Sequence, residues 1–236
     1  MAGFEYVGSE LAVFALASNW KRYFAALTQQ YVHGRVLEVG AGIGETTRAL
    51  LSPAVTRWVC VEPDARLAAR LHDLRKESAT PLEIVCGDIT AVAPDERFDT
   101  IVYIDVLEHI RDDSAELHRA KDHLAPDGFL LVLSPAFMRL YSPFDRAVGH
   151  ERRYDRRTLE AAFPSGLHRV RTFYADALGM VLSLANGLVL RQSMPTRRQI
   201  RFWDRVVIPV SRILDPLVGR RFGRSIIAVY RAPGLA

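Results

Sequence analysis

The chain has little of several residue types and patterns that would place it in a special class. It contains only two cysteines, Cys60 and Cys86, and both lie in apolar, strand-like runs. Cysteines of this kind indicate core residues of a reduced protein and no disulfide framework. The longest nearly uncharged stretch, residues 177–190, is shorter than the about 20 residues that cross a bilayer. No basic segment followed by an apolar one starts the sequence. We therefore expect a cytoplasmic protein without a transmembrane helix.

Lysine is also scarce, and the charge is unevenly distributed. Only three lysines occur, and the formal net charge is +4. Residues 1–138 hold 13 basic and 20 acidic side chains, whereas residues 139–236 hold 18 arginines and 7 acidic side chains, so the two parts carry −7 and +11. Either the arginines form a solvated face, or the acidic part holds a cationic ligand and the basic part meets an anionic substrate, lipid headgroup or partner.

The rest of the composition predicts one folded α/β domain. Hydrophobic residues make up 49% of the 236 residues and charged residues 25%, as in ordinary globular domains. Short β-branched runs alternate with helical patterns, which predicts βαβ units, a mostly parallel Rossmann-like sheet and helices on both faces. The predicted strands are 35–39, 57–62, 82–86, 98–104, 129–134, 167–174 and 225–231, and the predicted surface helices are 45–51, 65–78 and 113–124.

Two regions outside this alternation are also predicted to be helical. Residues 10–32 form one or two helices. Between the last two strands, apolar residues recur at helical spacing despite Pro209 and Pro216, which predicts a kinked helical insertion suited to a substrate lid. We expect a single domain with an N-terminal helical lid at 1–34, a cofactor-binding core at 35–138 and a substrate-recognition part at 139–236, in which the insertion covers about 176–222.

Glycines at alternate positions follow the first predicted strand. A ligand approaches the backbone closely at a turn such as Gly40, Gly42 and Gly44. In the phosphate-binding version of this turn, another glycine stands where this chain has Glu45. This carboxylate and Glu38, at the end of the strand, disfavour a diphosphate and favour a ligand that carries an ammonium group.

More acidic side chains stand at the ends of the next strands. Glu62 is placed to accept hydrogen bonds from the hydroxyls of a ribose. Asp88 is placed to accept a hydrogen bond from an exocyclic amine, and Ile89 is placed to pack against a purine. Because the carboxyl ends of parallel strands share one edge of a sheet, these residues are expected to meet Glu38 and Asp105 in one crevice. Each carboxylate taken alone could instead be a helix cap.

Five segments resemble, in order and spacing, the motifs of class I S-adenosylmethionine-dependent methyltransferases. They are VLEVGAGIGETT, CVEPD, CGDI, FDTIVYIDVLEHI and LAPDGFLLVLSP, and the resemblance spans residues 15–138. It implies a seven-stranded sheet whose last strand is antiparallel, and S-adenosyl-L-methionine as cofactor. The positions that the resemblance assigns to cofactor binding are Asn19 and Tyr23 in a closing helix, then Glu38, Gly40, Ala41, Gly42, Gly44, Glu62, Pro63, Asp88, Ile89, Asp105 and Val106.

Two histidines are candidates for the general base that a hydroxyl acceptor would need. His109 follows the fourth strand, and His150 lies in the polar segment FDRAVGHERRY. That segment resembles a block of bacterial family members associated with sugar, envelope-lipid and natural-product pathways, although a surface loop is the alternative. The predicted substrate-binding residues are Tyr141, Phe144, Asp145, Arg152, Arg153 and Tyr154. No metal is expected, although Glu108, His109, Asp112 and Asp113 are close enough in sequence to ligate a divalent ion.

The predicted function is in-line methyl transfer to an oxygen of a small molecule, sugar or natural product. N- or C-methylation is the first alternative. A second alternative is action at a membrane surface on a lipid-linked substrate, because eight arginines between 197 and 224 accompany Phe202 and Trp203. A nucleic-acid partner is not expected, because no recognition module is present. Aminopropyl transfer has no support, because the part that would face the substrate is basic.

Overall fold

A seven-stranded sheet forms the centre of the protein. The computed structural model describes residue 6, residues 11–189 and residues 194–234, with the side chains of 185–189 outside this description. The strands are β1 (Gly34–Val39), β2 (Val55–Glu62), β3 (Leu82–Cys86), β4 (Phe98–Ile104), β5 (Leu124–Pro135), β6 (His168–Ala175) and β7 (Ser225–Arg231). Their order is β3-β2-β1-β4-β5-β7-β6; the β1–β5 ladders are parallel, and β7 runs antiparallel to both neighbours. The predicted Rossmann-like α/β fold, including its antiparallel last strand, is confirmed.

Strand β5 differs most from its predicted bounds. It begins at Leu124, because Leu124 pairs with Phe98 before the register shifts and the chain turns through Asp127, whose φ is 62°. The regular run from Phe129 onward pairs with β4 as expected. An irregular ladder with a turn inside it has no simple apolar pattern, and so the early part of β5 could not be found by periodicity.

Helices cover both faces of the sheet. They are α1 (Leu11–Phe14), α2 (Ser18–Thr28), α3 (Glu45–Leu50), α4 (Ala65–Glu77), α5 (Asp113–Asp122), α6 (Pro143–Val148), α7 (Arg156–Ala162), α8 (Ala177–Val189), α9 (Arg197–Phe202) and α10 (Ile208–Leu217). Buried side chains of α2, α3, α4 and the insertion share one apolar cluster, and those of α5 and α7 share the other. None of the described helices is long and apolar enough to cross a membrane.

The insertion between β6 and β7 is helical, as expected, and its regular α-helical geometry is interrupted by a segment of the wider π-helix. Residues Trp203–Val207 form a π-helix between α9 and α10. Pro209 stands in the first turn of α10 and has no amide hydrogen to donate to the preceding turn, which favours a change of helix type just before it. The second proline, Pro216, lies inside the last turn of α10.

The insertion packs against the N-terminal helices. Asp204, in the π-helix, is buried and accepts hydrogen bonds from the Trp20 amide (2.9 Å) and the Asn19 side chain (3.1 Å). It therefore satisfies an amide in the first turn of α2, whose own preceding residue, Ala17, has no side chain that could cap it. Two segments far apart in sequence are thus joined above the carboxyl edge of the sheet.

Candidate active site

A cavity of about 210 Å³ lies at the carboxyl ends of β1, β4 and β5, under the N-terminal helices and the insertion. It is the place where ligands bind in open α/β sheets. Predicted site residues that line it are Gly40, Ala41, Gly42, Asp105, His109, Phe144, His150 and Arg153. Lining residues that the sequence analysis missed as site residues include Phe14, Trp20, Lys21, Phe24, Glu108, Trp203 and Arg224. Most of these missed residues belong to segments that no local sequence pattern places beside the ends of the strands.

The glycine turn forms the floor of the cavity beside β1. Gly40 and Gly42 have φ angles of 73° and 57°, which side chains rarely adopt. A Cβ at Gly40 would lie 2.5 Å from a methyl of Val106, so Val106 supports the turn and does not line the cavity. Gly44 also has a positive φ, and a Cβ there would meet Leu74 of α4. Its role is therefore helix packing, whereas Gly40 and Gly42 present backbone to the cavity.

Glu38 lies beneath this turn and outside the cavity lining, and its contact with a cofactor stays a prediction. Its carboxylate is buried and accepts hydrogen bonds from the Thr47 hydroxyl and the Trp58 indole (2.9 Å for Trp58). Burial raises the pKa of Glu38 to about 7, although the hydrogen bonds from Thr47 and Trp58 oppose that shift. Glu38 thus ties β1 to α3 and β2.

The pKa of Glu38 predicts a pH-dependent stability. Because this pKa rises from 4.5 to about 7 on folding, the native protein binds more protons than the unfolded chain between these pH values. The free energy of unfolding therefore falls as the pH rises through this window. Glu38→Gln should remove that fall, so that the variant gains about 3 kcal/mol on the wild type between pH 5 and pH 8 in urea unfolding. Glu77→Gln, at an exposed carboxylate, is the control; equal profiles for Glu38→Gln and wild type would contradict the prediction.

The predicted ribose and adenine residues lie at the same edge of the sheet, beyond the cavity lining. Glu62 is buried, and its carboxylate accepts the amides of Gly42 (2.7 Å) and Asp64 (2.9 Å), which fixes the glycine turn against β2. Pro63 follows it. Asp88 is exposed and caps a short turn by accepting the Thr90 amide, as in the helix-cap alternative. Buried Ile89 belongs to the core. Their contacts with a cofactor stay predictions.

The charge of Glu45 is balanced inside the protein. Its carboxylate forms an ion pair with Lys21 of α2, and Lys21 also donates to the Ala15 carbonyl (2.8 Å). A ligand near the start of α3 therefore meets both charges, and Glu45 adds little to a preference for cationic ligands. The carboxylate that remains exposed to the cavity is Asp105, at a positive φ of 54° directly after β4.

Asn19 and Tyr23 lie outside the cavity lining. Asn19 pairs with Asp204, and the buried Tyr23 hydroxyl donates to Asp215 (2.6 Å) and accepts from Arg220 (2.8 Å). Burial raises the pKa of Tyr23, and the hydrogen bond to Asp215 adds to this effect. Both side chains bind α2 to the insertion. The neighbouring residues Trp20, Lys21 and Phe24 of α2 take the places facing the cavity.

Three side chains form what we call the histidine cluster: Glu108, His109 and His150. Glu108 and His109 lie in a short 3-10 turn after β4, and the Glu151 amide donates to the Glu108 carbonyl (2.8 Å), which brings the segment after α6 alongside. One ligand atom from each of the three lies within 4.8 Å of the other two. The His109 and His150 rings are 4.6 Å apart, and Nε2 of His150 is 3.8 Å from Glu108 Oε1.

Glu108 is fully buried, and neither carboxylate oxygen has a hydrogen-bond partner among the described residues. Burial, together with the nearby charge of Asp105, raises the pKa of Glu108 well above its ordinary value. Burial also lowers the pKa of His109 to about 4, and a charge on His150 would add to that effect. His109 is therefore a neutral imidazole at neutral pH.

Asp145 orients His150. Its buried carboxylate accepts from Nδ1 of His150 (2.8 Å), from Nε and Nη2 of Arg153 (2.7 and 2.9 Å), and from the amide and hydroxyl of Ser142 (2.8 Å each). Although burial disfavours its charge, the hydrogen bonds from His150 and Arg153 hold the pKa of Asp145 below its usual range. A carboxylate at Nδ1 selects the tautomer that leaves Nε2 of His150 free to accept a proton or bind an ion.

The remaining predicted substrate residues divide into two groups. Phe144 lines the cavity beside the His150 ring, 6.2 Å away between centroids. Tyr141, Arg152 and Tyr154 do not line it; they hold the segment in place. The Tyr141 hydroxyl donates to the His150 carbonyl (2.7 Å), and Arg152 and Tyr154 both bind Asp113 (2.7 Å each).

The far wall of the cavity comes from the insertion and the start of β7. The Trp203 indole donates to Asp176 (2.8 Å), and the Arg224 guanidinium lies over the Trp203 ring, 5.0 Å from its centre. Arg224 forms no ion pair with the residues that the structure describes, and burial lowers its pKa. The wall therefore presents an aromatic surface and a cation that the charges of Asp176 and Asp105 balance only at a distance.

Comparisons with known proteins agree with this architecture. A family model described as a methyltransferase domain matches residues 13–186. The ubiquinone biosynthesis O-methyltransferase of Rhodopseudomonas palustris strain HaA2 is 30% identical over 170 residues, which are 66% of this chain and 61% of that protein. The enzyme of the same name from Hydrogenovibrio crunogenus is 27% identical over 178 residues, 72% of this chain and 70% of that protein. The chain thus spans about three-fifths of the length of the relative from R. palustris.

Solved structures share the fold. The N-methyltransferase NodS from Bradyrhizobium japonicum WM9 superposes with a TM-score of 0.56 at 17% identity, over 95% of this chain and 99% of NodS. A S-adenosylmethionine-dependent methyltransferase from Clostridium acetobutylicum gives 0.59 at 12% identity, over 92% of each chain. The family model covers most of the sequence, and the seven-stranded sheet with its antiparallel last strand is the one that the resemblance implied. The chain belongs to the class I S-adenosylmethionine-dependent methyltransferases.

Proposed function

We propose that this protein transfers the methyl group of S-adenosylmethionine to an oxygen atom of a small-molecule acceptor. The observation that carries the proposal is that the histidine cluster and the glycine turn border the same cavity. An amine acceptor is a good nucleophile as soon as its ammonium form has lost a proton to give the neutral amine. A neutral hydroxyl, by contrast, is a weak nucleophile until it is deprotonated. A cluster of two imidazoles and a carboxylate beside the cofactor site is therefore most useful to a hydroxyl acceptor. Two similar proteins are named as O-methyltransferases.

The residues at the sheet edge fit this cofactor. Gly40 and Gly42 allow a close approach to the backbone, and the carboxylates of Glu62 and Asp105 suit hydroxyl and cationic groups better than phosphates. When bound, S-adenosylmethionine supplies an electrophilic methyl group whose leaving group departs uncharged. The chain must then align the acceptor, keep water out and remove one proton.

The cavity walls favour an acceptor with an apolar or planar body and a polar or negative group. Phe14, Trp20, Phe144 and Trp203 supply aromatic surface, which excludes water, and Arg224 supplies a cation without a direct ion pair among the described residues. The acceptor hydroxyl would lie at the histidine cluster, where its proton is removed. Small phenols, sugars and natural products with an acidic group meet these requirements.

Mass spectrometry tests the proposal directly. The purified protein should carry, or bind on addition, S-adenosylmethionine or its demethylated product in native spectra. Incubation with a methyl-labelled cofactor and separate panels of phenols, sugars and amines should then yield labelled methyl ethers. Label found only in amines would replace O-methylation with N-methylation, and binding of NAD without the methyl donor would overturn the proposal.

A second candidate, action at a membrane surface on a lipid-linked acceptor, is favoured by the outer face of the insertion. We call this face the apolar stripe: Phe202, Val206, Val210, Ile213 and Leu217, which are between 40% and 76% exposed. Exposed arginines flank it, among them Arg198, Arg201 and Arg205, and these three form no ion pair with another described residue. An apolar strip bordered by cations is complementary to a bilayer that contains anionic lipids.

Vesicle binding tests this second candidate. We expect the protein to sediment with phosphatidylglycerol-containing vesicles at about 0.1 M salt and less with pure phosphatidylcholine. Ile213→Glu with Leu217→Glu should lower the bound fraction about 10-fold, because carboxylates would replace the two most exposed members of the apolar stripe. Val170→Glu, at an exposed apolar residue of β6, is the matched control. Equal sedimentation of all three proteins would exclude the apolar stripe as the contact.

A further inference from the structure

The histidine cluster has the composition of a metal site. One ligand atom from each of Glu108, His109 and His150 lies within 4.8 Å of the other two, and the cluster borders the cavity. We propose that these three side chains bind a divalent transition-metal ion, which activates the acceptor hydroxyl. This proposal deepens the proposed function and rests on it for the role of the ion, although binding of the ion is testable by itself.

The spacing of the donors is close to that of a formed site. Atoms bound to one ion at about 2.0–2.2 Å lie about 3–3.5 Å apart when the ligands are arranged tetrahedrally or octahedrally. Nε2 of His150 is already 3.8 Å from Glu108 Oε1, and the His109 ring is almost perpendicular to the His150 ring, at 83°. Binding of an ion would draw the three ligand atoms together from separations of at most 4.8 Å.

Among the described residues, the buried carboxylate of Glu108 has no hydrogen-bond partner of good geometry, and the buried Ser134 hydroxyl is also unpaired. The Ser134 hydroxyl and the backbone amide of Glu108 lie near enough to oppose the rise in the pKa of Glu108, but burial outweighs them. Leaving a buried acceptor unpaired is unfavourable, and more so when it is charged. An ion at the cluster would remove this cost.

The surroundings of the histidines are those of metal ligands. A histidine that binds a metal usually donates its other ring N–H to a carboxylate or a backbone carbonyl. His150 is held in this way by Asp145 at 2.8 Å, and His109 has a hydrogen bond with the Gly149 backbone. Arg153 and Ser142 fix Asp145 in turn, so the donor direction of His150 is set by several contacts.

Two imidazoles and one carboxylate favour Zn²⁺, Mn²⁺ or Fe²⁺ over Mg²⁺, which prefers oxygen ligands. Three protein ligands leave positions for the acceptor oxygen, as in catalytic sites. Bound there, the hydroxyl loses its proton to solvent more readily, and its oxygen forms the new bond to carbon while the carbon–sulfur bond of the sulfonium breaks. From the sequence alone, no metal is expected. Asp112 and Asp113, considered with Glu108 and His109, have other roles, since Asp112 caps α5 and Asp113 binds Arg152 and Tyr154.

Titration calorimetry on the tag-free protein, first stripped with a chelator, tests binding without any need for turnover. Zn²⁺, Mn²⁺ and Mg²⁺ are added separately. We expect about one ion of Zn²⁺ or Mn²⁺ per chain, with an increase in Tm, and weaker binding of Mg²⁺. Glu108→Gln and His150→Ala should each weaken binding at least about 10-fold. Glu116→Gln, at another buried carboxylate, and His123→Gln, at another buried histidine, are the matched controls and should bind as the wild type does.

The outcomes separate this proposal from the proposed function. Binding of an ion that depends on Glu108 and His150 supports the site even if no acceptor is methylated, in which case O-methylation alone falls. Methyl transfer that persists in the stripped protein, with no saturable binding of any of the three ions, overturns the metal site and leaves His150, oriented by Asp145, as the proton acceptor. Binding that is unchanged in folded Glu108→Gln and His150→Ala also overturns it.

Discussion

Replacing His150 with alanine is expected to lower kcat for methyl transfer about 100-fold or more. The His150 ring borders the cavity, and its Nε2 is the atom that Asp145 leaves free. Without this nitrogen, which either accepts the proton itself or holds the proposed ion, the acceptor hydroxyl keeps its proton for longer and attacks the methyl group slowly. The Kd for S-adenosylmethionine should change less than about threefold, because the glycine turn and Glu62 are untouched. Single-turnover kinetics with saturating cofactor, together with calorimetry, would measure both quantities.

His118→Ala provides the control for this experiment, since His118 is an exposed residue of α5 whose ring has, among the described residues, a hydrogen bond only with the Ser114 carbonyl of the same helix. Its kcat should equal that of the wild type. Loss of cofactor affinity in His150→Ala, in proportion to the loss of rate, would show that the residue shapes the binding site and does not act on the acceptor. An unchanged rate would remove His150 from the chemistry altogether.

The sheet was predictable because its signals are local. Strands β3, β4 and β7 have the predicted bounds, since each is a short β-branched run ended by turn residues. The glycine turn and the acidic residues at strand ends were likewise placed at the correct edge. What each carboxylate does there was less predictable. Glu38 and Asp88 lie at strand ends as expected. The carboxylate of Glu38, however, is enclosed by its hydrogen bonds with Thr47 and Trp58. The carboxylate of Asp88 caps the turn that follows it.

The helices predicted to form a lid show which contacts sequence spacing cannot predict. Asn19 and Tyr23 lie in the predicted helix, but their partners Asp204 and Asp215 follow 185 and 192 residues later. No periodic pattern specifies such a pairing. The residues of α2 that face the cavity are Trp20, Lys21 and Phe24, which lie one or two positions from the predicted Asn19 and Tyr23. The histidine cluster has the same origin, because Glu108 and His150 are brought together by tertiary contacts such as the hydrogen bond from the Glu151 amide to the Glu108 carbonyl.

A substitution at Gly40 should have a comparably large effect, on binding of the cofactor and not on the chemical step. In Gly40→Ala the new methyl would lie 2.5 and 2.9 Å from the two methyl carbons of Val106, at a φ of 73°. The turn must shift to relieve this contact, which moves the backbone that borders the cavity. We expect the Kd for S-adenosylmethionine to rise about 100-fold or more in calorimetry, with a loss of stability of about 1–3 kcal/mol from the strained backbone.

Two further variants separate the steric contact from the backbone strain. Gly219→Ala has the same type of strain, at a φ of 62°, but its new methyl would meet nothing closer than 3.7 Å and lies away from the cavity, so the cofactor should bind normally. Adding Val106→Ala to Gly40→Ala removes the two clashing methyl carbons and should restore part of the affinity. If Gly40→Ala bound the cofactor as tightly as the wild type, the close approach of a ligand to this turn would be refuted, and the cofactor would have to be placed elsewhere along the sheet edge.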